Sequence, residues 1–561
     1  MNILLVYPPV LHERIHQEEV AVPPIGLYYV GALLRENGHD VEILNAHTLG
    51  DRHREVEAVL RRVRPGVVGF SVLHANRWGA LDLAGLAKRV VPGVQVVFGG
   101  VGATFLWEQL LAHTGVVDYV ARGEGERTFL ELVEHFEQNG APLPEHIPGL
   151  AFQKDGRPFK TPDAPRIQDL DSLPNPARYF TFQHVAATRG CSMNCAFCGS
   201  PRFWGRSVRA HSPGYFVEQL ELLYHRGIRF FFFSDDTFTA SRTRVMAICR
   251  LILERGLRIT WFAIARVDHV DEEMLRWMRR AGCIQISYGV ESGSPAIRKR
   301  LNKPLRAEPI RRAFALTRRF GILPRAYFIY GCPGETRETV EETRTLLREI
   351  QPLAAIFYIL DVFPGTALCE EMKQAGRLTE DVWLERIEGV PYFELDPDIP
   401  REVVLEWGEA LRNGFHREVG GFAESLELAE EQGFEALHAD FCSRLGMTFS
   451  HGDYARIEAI PDADRVAETL YRRALAFYPD HRAYLGLAIL QQKQGDHAEA
   501  VRLLETGVPL YGDSEPLGVC LGVGYMNLGR YREALDVFSR LEEGSADAQR
   551  YAASCREALG L

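Results

Sequence analysis

Short apolar segments alternate with segments of helical periodicity in two successive blocks of the sequence. In residues 1–140 the apolar segments are NILLVY, DVEILN, VVGFSVL, VQVVFGG and VDYVARG, and in residues 183–365 they are HVAATR, RFFFFSD, ITWFAIA, CIQISYGV, RAYFIYG and AIFYILDV. Strands that are separated by helices form βα units with a parallel sheet. The first block therefore predicts a doubly wound, Rossmann-like α/β domain, and the second predicts a (βα)6 TIM barrel, partial or complete. In both folds ligands bind at the carboxyl ends of the strands.

The other segments of the chain lack this alternation. Residues 141–182 are rich in proline, including Pro142 and Pro144, and predict a linker with a small hairpin around KDGRPF. Residues 366–460 are mostly helical in pattern, and residues 461–561 are entirely so. Within residues 461–561 the sequence has a period of 34 residues. Such a period predicts tetratricopeptide-like repeats, with a helical cap of two hairpins as the alternative. Similar residues recur at that spacing at Gly495 and Gly529, Ala500 and Ala534, and Leu504 and Phe538.

Charge and hydropathy exclude several classes of protein. The 64 basic and 75 acidic residues give a net charge of −11, which argues against a nucleic-acid partner for the chain as a whole. A content of 46% hydrophobic and 25% charged residues is typical of globular proteins and excludes a collagen-like or disordered chain. No stretch approaches the ~18 apolar residues of a membrane span, and the N-terminus lacks a signal-peptide pattern. We therefore expect a cytoplasmic protein without a membrane span.

Three of the ten cysteines stand together, in the segment TRGCSMNCAFCGS that follows the first strand of the second block. Cys191, Cys195 and Cys198 have the spacing C-x3-C-x2-C, and three thiolates so close can converge on one soft metal centre. A [4Fe–4S] cluster normally takes four cysteines, so three would leave one iron open to an outside ligand. Zinc is the rival metal, although it usually takes four protein ligands and C-x2-C pairs. Chance clustering of thiols is the third alternative.

With this spacing after its first strand, the second block resembles the barrel of the radical S-adenosylmethionine (SAM) superfamily. In that family the amino and carboxylate groups of SAM chelate the open iron. The segment FWGR at 203–206 resembles the cobalamin-dependent branch of this family. The resemblance to the family extends to GVESG at 289–293, GCPGET at 331–336 and FPGT at 363–366, which end the fourth, fifth and sixth strands. The resemblance implies that SAM contacts come from Phe203, Asp235, Asp236, Glu291, Ser292, Gly331 and Pro333.

The first block resembles the cobalamin-binding domain that precedes many radical SAM barrels. The matching segments are PPIGL at 23–27, SVL at 71–73, the glycine pair at 99–100 and GEGE at 123–126. A doubly wound domain that has lost its ligand is the alternative. The resemblance implies cobalamin contacts from Ser71, Leu73, His74, Gly99, Gly100, Gly123 and Glu124.

Several histidines are candidates for the lower face of the corrin ring. The segment NAHTLG at 45–50 is similar to D-x-H-x-x-G, whose histidine ligates cobalt in other cobalamin proteins. Here it follows the second strand, and asparagine replaces the aspartate, so we interpret His47 as a loop histidine. His12 and His16 are better placed but lack the motif, and His74 could approach the lower face. Most members of the branch leave that face without a protein ligand.

The resemblance implies methylation of an unactivated carbon. SAM would be cleaved reductively to methionine and a 5′-deoxyadenosyl radical, this radical would abstract hydrogen from the substrate, and methylcobalamin would supply the methyl group. Cobalamin-dependent cyclases and rearrangement enzymes share these motifs and are the alternative. A non-catalytic cobalamin-binding protein that works through its repeats is a third reading. A tRNA methylthiotransferase is excluded, because no cysteine precedes Cys191.

Three kinds of partner follow from this assignment. The resemblance implies an electron donor of the flavodoxin or ferredoxin type, and the repeats predict a protein partner. A small-molecule or peptide substrate would bind between the barrel mouth and the cobalamin. Candidate residues for that pocket are Trp204, Tyr288, Tyr327, Tyr330 and Asn302.

Overall fold

The computed structural model describes residues 1–10, 22–138, 143–387, 389–396, 398–512 and 514–561. His12, His16 and Pro142, which the sequence analysis considered, lie outside the described residues. Across these ranges the chain forms two mainly parallel sheets, each covered by helices, and a helical tail. None of the helices in the described part of the chain is long and apolar enough to cross a membrane.

The first sheet has seven strands in the order β2-β1-β3-β4-β5-β6-β7. The first five strands in this order, β1 included, are parallel to their neighbours. Strand β1 is buried from Ile3 to Tyr7, as expected of a strand whose two faces both carry helices. The strands are β1 Asn2–Tyr7, β2 Asp40–Asn45, β3 Val67–Ser71, β4 Gln95–Gly99, β5 Tyr119–Ala121, β6 Leu150–Lys154 and β7 Arg157–Lys160. The helices are α1 Ile25–Glu36, α2 Arg52–Val63, α3 Arg77–Val90, α4 Val101–Phe105, α5 Trp107–His113 and α6 Gly125–Glu137.

The proline-rich segment contributes to this sheet. Its predicted hairpin forms β6 and β7, and β6 pairs antiparallel with β5, so the hairpin extends the sheet edge. Leu170 and Leu173, further along the segment, are buried against Tyr29. The segment is therefore packed against the first sheet's domain along much of its length, although the domain boundaries themselves stay a prediction.

The second sheet is a curved run of six parallel strands, in the order β15-β14-β13-β12-β11-β8. Its end strands do not pair with each other, so the barrel is partial. Its strands are β8 His184–Val185, β11 Phe230–Phe233, β12 Thr260–Ala265, β13 Cys283–Glu291, β14 Leu323–Tyr330 and β15 Ala354–Ile359. The helices are α7 Ser200–Phe203, α8 Pro213–His225, α9 Arg242–Glu254, α10 Glu272–Arg280, α11 Pro295–Arg300, α12 Ala307–Arg319 and α13 Arg337–Ile350.

The segment HVAATR, predicted as one strand, is divided into two. The second part is β9, Thr188–Arg189, which pairs antiparallel with β10, Arg209–Ala210. The division occurs where the Asp235 carboxylate accepts hydrogen bonds from the backbone N–H of Ala187 and the hydroxyl of Thr188. A side chain thus replaces the sheet neighbour at this point, and the chain turns toward the cysteine segment.

A series of helices follows the second sheet. The members of each pair of residues 34 positions apart occupy equivalent places: Gly495 and Gly529 both have positive φ after a helix end, and Ala500 and Ala534 are both fully buried. Descent from tetratricopeptide repeats stays a prediction. The helices are α14 Ala367–Gln374, α15 Tyr392–Leu395, α16 Arg401–Glu424, α17 Glu435–Ser450, α18 Ala463–Phe477, α19 His481–Lys493, α20 His497–Gly507, α21 Glu515–Asn527, α22 Tyr531–Ser539 and α23 Ala546–Leu559.

Two hydrophobic cores divide the tail. The core of the second sheet, which contains Phe328, continues through Phe415 of α16 and Tyr471 of α18 to Leu487 of α19. The remaining helices, α20 to α23, pack around a separate small core that includes Phe538. Helix α19 borders both cores, so the first part of the tail is one packed body with the barrel.

Candidate functional site

A cavity of about 530 Å³ lies between the two sheets, at the carboxyl ends of their strands. The barrel contributes Cys198, Phe203 and Asp236 to its wall. The first domain contributes every residue that the sequence assigned to cobalamin, namely Ser71, Leu73, His74, Gly99, Gly100, Gly123 and Glu124.

Glycines form an open floor on the first-domain side of the cavity. A side chain at Gly26 or Gly123 would meet no protein atom within 4 Å, and one at Gly99 would meet none closer than 3.7 Å, so such side chains would extend into the cavity. Gly100, by contrast, has φ +93° and lies against the backbone of Val72, which a Cβ would approach to 2.9 Å. The open floor fits a large flat ligand such as a corrin ring, whose place larger side chains would fill.

The cysteine segment is a loop between β9 and α7 that the barrel holds by its backbone. The N–H of Ala196 donates to the carbonyl of Leu301, and its carbonyl accepts from the N–H of Leu368, both at 2.9 Å. The Asn302 amide donates to the carbonyl of Asn194 at 2.6 Å. Asn302 adopts φ +53°, a left-handed conformation that asparagine tolerates better than most residues. Asn302, a predicted residue of the substrate pocket, instead fixes the cysteine loop and lies outside the cavity wall.

The three thiols of the loop are partly buried and free of disulfides. Burial raises the pKa of Cys198 to about 12 and also raises the pKa of Cys195, in both cases with a contribution from the neighbouring thiolates. As they stand, no three His, Cys, Asp or Glu side chains in the described ranges are grouped closely enough to hold a metal ion. Three soft thiol donors on an anchored loop suit an iron–sulfur cluster in kind, and binding would require their side chains to turn toward one point.

Asp235 and Asp236 at the end of β11 have different environments. Asp235 is buried, and its carboxylate is bonded to Thr188 and the backbone of Ala187; burial raises its pKa to about 6. Asp236 lines the cavity and accepts from the Ser200 hydroxyl at 2.9 Å. Successive side chains of a strand point to opposite faces. Of the two acids predicted to contact SAM, Asp236 therefore faces the cavity, and Asp235 supports the first strand.

The residues that end β13 are also divided between burial and the site. Glu291 has φ +66°, follows a bulge in the strand, and forms a buried ion pair with Lys303. A Cβ on Gly289 would come within 2.5 Å of the Lys303 ammonium, so glycine makes room for this pair. The Ser292 hydroxyl is fully buried against Thr343 and the N–H of Ser294, away from the cavity. Ser292 therefore supports the loop and has no surface to offer SAM.

The loop after β14 is held by a carboxylate that sequence reasoning missed. One oxygen of buried Glu335 accepts from the N–H groups of Gly331, at 2.6 Å, and Cys332, at 3.1 Å. Burial raises the pKa of Glu335 to about 7. Gly331, with φ +75°, and Pro333 were assigned to SAM, and both lie on this loop outside the cavity wall.

The carboxylate of Glu124 is occupied by two arginines from the barrel. Arg189 donates to Glu124 at 2.7 Å and to Glu126 at 2.5 Å, while Arg209 donates to Glu124 at 2.8 Å. The N–H of Ile167 supplies a further bond. All four charged side chains are at least nine-tenths buried. Glu124 thus borders the cavity but serves to join the two domains, and we name Glu124, Glu126, Arg189 and Arg209 the interdomain tetrad.

The Arg189 guanidinium is also enclosed by aromatic rings. Its central carbon lies 5.3 Å from the ring centre of Tyr29 and 5.4 Å from that of Trp204. Burial lowers the pKa of Arg189, but the charges of Glu126 and Glu124 outweigh it and raise that pKa above its usual value. Arg189 is two residues from Cys191, so the tetrad connects the first domain to the cysteine loop. The sequence places Arg189 next to the cysteine loop, but nothing in it identifies Glu124 and Glu126 as its partners.

His74 and His211 are the described histidines that line the cavity, and they differ in their partners. The ring nitrogens of His211 are bonded to the Tyr29 hydroxyl at 2.8 Å and to Asp171 at 3.1 Å. The ring of His74 packs against Phe363 at 4.4 Å between ring centres. Within the described residues its nitrogens have no hydrogen-bond partner, and burial, aided by the charge of Arg77, lowers its pKa to about 3. His47 lies outside the cavity wall and its Nδ1 accepts from the N–H of Val10 at 3.4 Å.

Of the other residues proposed for the substrate pocket, only Trp204 lines the cavity. Tyr288 is fully buried, and its hydroxyl bonds to Thr317 at 2.8 Å. Tyr330 is buried and accepts from Arg412, and Tyr327 packs against Tyr358. Tyr288 and Tyr330 thus contact helices that cover the sheet, whereas Tyr327, an odd number of positions from Tyr330, lies on the other face of β14 beside the neighbouring strand.

A cysteine loop at the mouth of a partial barrel, facing a glycine-floored doubly wound domain, defines the class of cobalamin-dependent radical SAM proteins. Comparisons agree: residues 185–347 match the radical SAM superfamily and residues 18–133 match the B12 binding domain. An uncharacterised methyltransferase of Pyrococcus horikoshii is 34% identical over 382 residues, which cover 66% of this chain and 83% of that protein. The chain therefore belongs to the cobalamin-dependent radical SAM enzyme family.

Two further relatives bear on the reaction and the fold. The anaerobic magnesium-protoporphyrin IX monomethyl ester cyclase of Cereibacter sphaeroides is 29% identical, over 66% of this chain and 64% of its own length. The structure of the radical SAM methyltransferase TsrM from Kitasatospora setae, with cobalamin and a [4Fe–4S] cluster bound, has a TM-score of 0.59 at 17% identity and covers 84% of this chain and 99% of its own. At that identity the likeness shows a shared fold.

Proposed function

We propose that this protein is a cobalamin-dependent radical SAM methyltransferase that places a methyl group on an unactivated carbon of a small-molecule or peptide substrate. The observation that carries the proposal is that one cavity has the cysteine loop in one wall and the glycine floor in the other. When bound, the cluster and SAM supply a 5′-deoxyadenosyl radical, and cobalamin supplies the methyl group. A cavity shared by both sites lets one substrate carbon meet both reagents in turn.

The residues of the chain divide the work of binding. Cys191, Cys195 and Cys198 would hold the cluster, and Asp236, the cavity-facing acid of its pair, would accept a hydrogen bond from the SAM amino group. Phe203 lies edge-on to Trp204, with 4.6 Å between ring centres, and the two rings cover the cavity beside the loop. Apolar walls of this kind exclude water from reactive intermediates. The electron donor of flavodoxin or ferredoxin type and the cytoplasmic location are further predictions.

Cyclisation is the second candidate function, because relatives include cyclases. The two reactions use SAM differently: methyl transfer consumes a second SAM to restore the methyl group and so yields S-adenosylhomocysteine, whereas cyclisation does not. The experiment is to purify the full chain anaerobically, load it with iron, sulfide and cobalamin, and assay both nucleosides with SAM and a reductant. Cys195→Ala is the control, since it removes a thiol without altering the cavity floor.

The outcomes separate the candidates. We expect corrinoid absorption bands, an iron–sulfur shoulder, and both 5′-deoxyadenosine and S-adenosylhomocysteine from the wild type, with the nucleosides lost in Cys195→Ala. Deoxyadenosine without S-adenosylhomocysteine would favour the cyclase. A protein that binds neither corrinoid nor cluster would refute both.

A further inference from the structure

His74 belongs to the loop that follows β3, and its backbone is held on three sides. The Asn76 side chain accepts from the N–H of Leu73 at 2.7 Å, and Arg77 donates to the His74 carbonyl at 2.6 Å. On the third side α4 packs so closely that a Cβ at Gly102 would come within 2.6 Å of the His74 nitrogen. Asn76 and Arg77 are themselves fully buried. The position of His74 is therefore fixed before any ligand arrives.

The side chain of His74 is used differently from its backbone. The ring packs on one side against Phe363, which comes from the barrel, and it borders the cavity. Among the described residues, nothing bonds to its two nitrogens. A partly buried imidazole without a partner forfeits hydrogen bonds that it would make in water, which is a free-energy loss unless a ligand completes it.

A comparison with His211 shows that the lack of hydrogen-bond partners is particular to His74 and is not shared by every histidine that borders the cavity. His211 lines the same cavity, but a tyrosine hydroxyl and a carboxylate occupy its two nitrogens. It is therefore committed to the protein. Of the two described histidines that line the cavity, only His74 has ring nitrogens that no described residue bonds to, and a neutral imidazole is the form that binds transition metals.

We infer that His74 supplies a nitrogen ligand to the cobalt of cobalamin bound in this cavity. The inference rests on the proposed function and goes beyond it, since relatives that the sequence resembles mostly leave the lower face of the corrin without a protein ligand. The step is a ligand exchange: one Co–N bond forms, and a water molecule or the cofactor's own base leaves. No electron is transferred, and no proton is released because the imidazole is already neutral.

Electron paramagnetic resonance of bound cob(II)alamin tests this assignment without reference to turnover. A nitrogen on the axis of cob(II)alamin splits each cobalt line, into a triplet for ¹⁴N and a doublet for ¹⁵N. Full-length protein would be produced with ¹⁵N-histidine, prepared anaerobically and mixed with unlabelled cob(II)alamin. Because the cofactor's own base carries ¹⁴N, a doublet can come only from a protein histidine. We expect a doublet from the labelled wild type and a triplet from the unlabelled one.

Variants identify which histidine is the ligand. His74→Phe should abolish the doublet, while the matched control His47→Phe should keep it, because His47 lies outside the cavity. Addition of ¹⁵N-imidazole to unlabelled His74→Ala should restore a doublet. The labelled wild type decides the matter even if a variant folds poorly.

Three results would overturn the assignment. Bound corrinoid without splitting in the labelled wild type, a triplet that ignores the label, or a doublet that persists in His74→Phe would each leave the proposed function intact and refute His74 as the ligand. A wild type that binds no corrinoid at all would instead refute the proposed function, and the two failures are thereby distinguishable.

Discussion

Replacement of Arg189 by methionine should destabilise the protein through the interdomain tetrad. The tetrad is neutral, with two carboxylates and two guanidinium groups, all buried. Methionine preserves much of the side chain's bulk between Tyr29 and Trp204 but leaves one net negative charge. Removal of one partner from a buried ion pair costs about 3–5 kcal/mol, because the remaining charge stays desolvated. We therefore expect the free energy of unfolding of Arg189→Met to fall by about that amount.

A second substitution, Glu126→Gln, should change the free energy of unfolding in opposite directions in the wild type and in Arg189→Met. Glu126→Gln alone should destabilise the wild type, because it leaves an excess positive charge. In the Arg189→Met background the same change restores neutrality, since Glu124 and Arg209 remain paired at 2.8 Å. There it should recover about 1–3 kcal/mol, within the range of coupling energies for residues in contact.

The assay is urea unfolding of the four proteins, wild type, each single variant and the double variant, without cofactors and followed by tryptophan fluorescence. Because the chain has several cores, the transition that includes Trp204 is the one to compare. Glu137→Gln is the control for Glu126→Gln: it removes the same charge from a side chain that is half exposed. Equal destabilisation by Glu126→Gln in both backgrounds would refute the electrostatic account of the tetrad.

Three further changes test other parts of the site. Gly26→Val should weaken cobalamin retention at least tenfold, measured by absorbance after gel filtration, because its side chain would enter the cavity. The control Gly421→Val, at another helical glycine with open space around it, should not weaken retention. Equal retention by the two variants would contradict the glycine floor. Glu335→Gln should remove a pH dependence of stability. The pKa of Glu335 in the folded protein, about 7, lies above its ordinary value of 4.5. The wild type is therefore stabilised at low pH and loses that stability, about 3 kcal/mol, as the pH rises through 7. Thermal unfolding at pH 5 and 8 should therefore show a smaller difference for the variant, and an unchanged difference would exclude Glu335 as the titrating group. Asn302→Gly should lower the iron content after reconstitution, because the hydrogen bond to Asn194 is lost. The free energy of unfolding should stay the same or rise by about 1 kcal/mol, because glycine relieves the left-handed φ. A full iron content would show that this hydrogen bond does not support the cluster.

Periodicity predicted most of the fold. Strands β1 and β2 were predicted with their observed bounds, because continuous apolar segments between helices leave few alternatives. The division of HVAATR was not predictable in the same way, since it depends on Asp235, a residue 47 positions from Thr188 that the fold brings to it.

The candidate site was predicted in part. The cobalamin residues all border the cavity, whereas of the SAM residues Phe203 and Asp236 do so and Ser292 and Asp235 are buried supports. The alternation of side chains along a strand end would have separated Asp235 from Asp236. The tetrad could not be predicted, because the pairing of Arg189 with Glu126 depends on how two domains dock.

The core that runs from the barrel into α19 determines where the chain can be divided. A chain that ended before α16 would expose the apolar faces that Phe415 and Tyr471 cover, whereas one that ended after α19 would keep the barrel's core and expose only the α19 side of the small core. The enzyme body therefore extends well into the helical tail, and the last four helices form an appendage. Evolution or protein engineering can exchange that appendage for another while the catalytic body keeps its own interior.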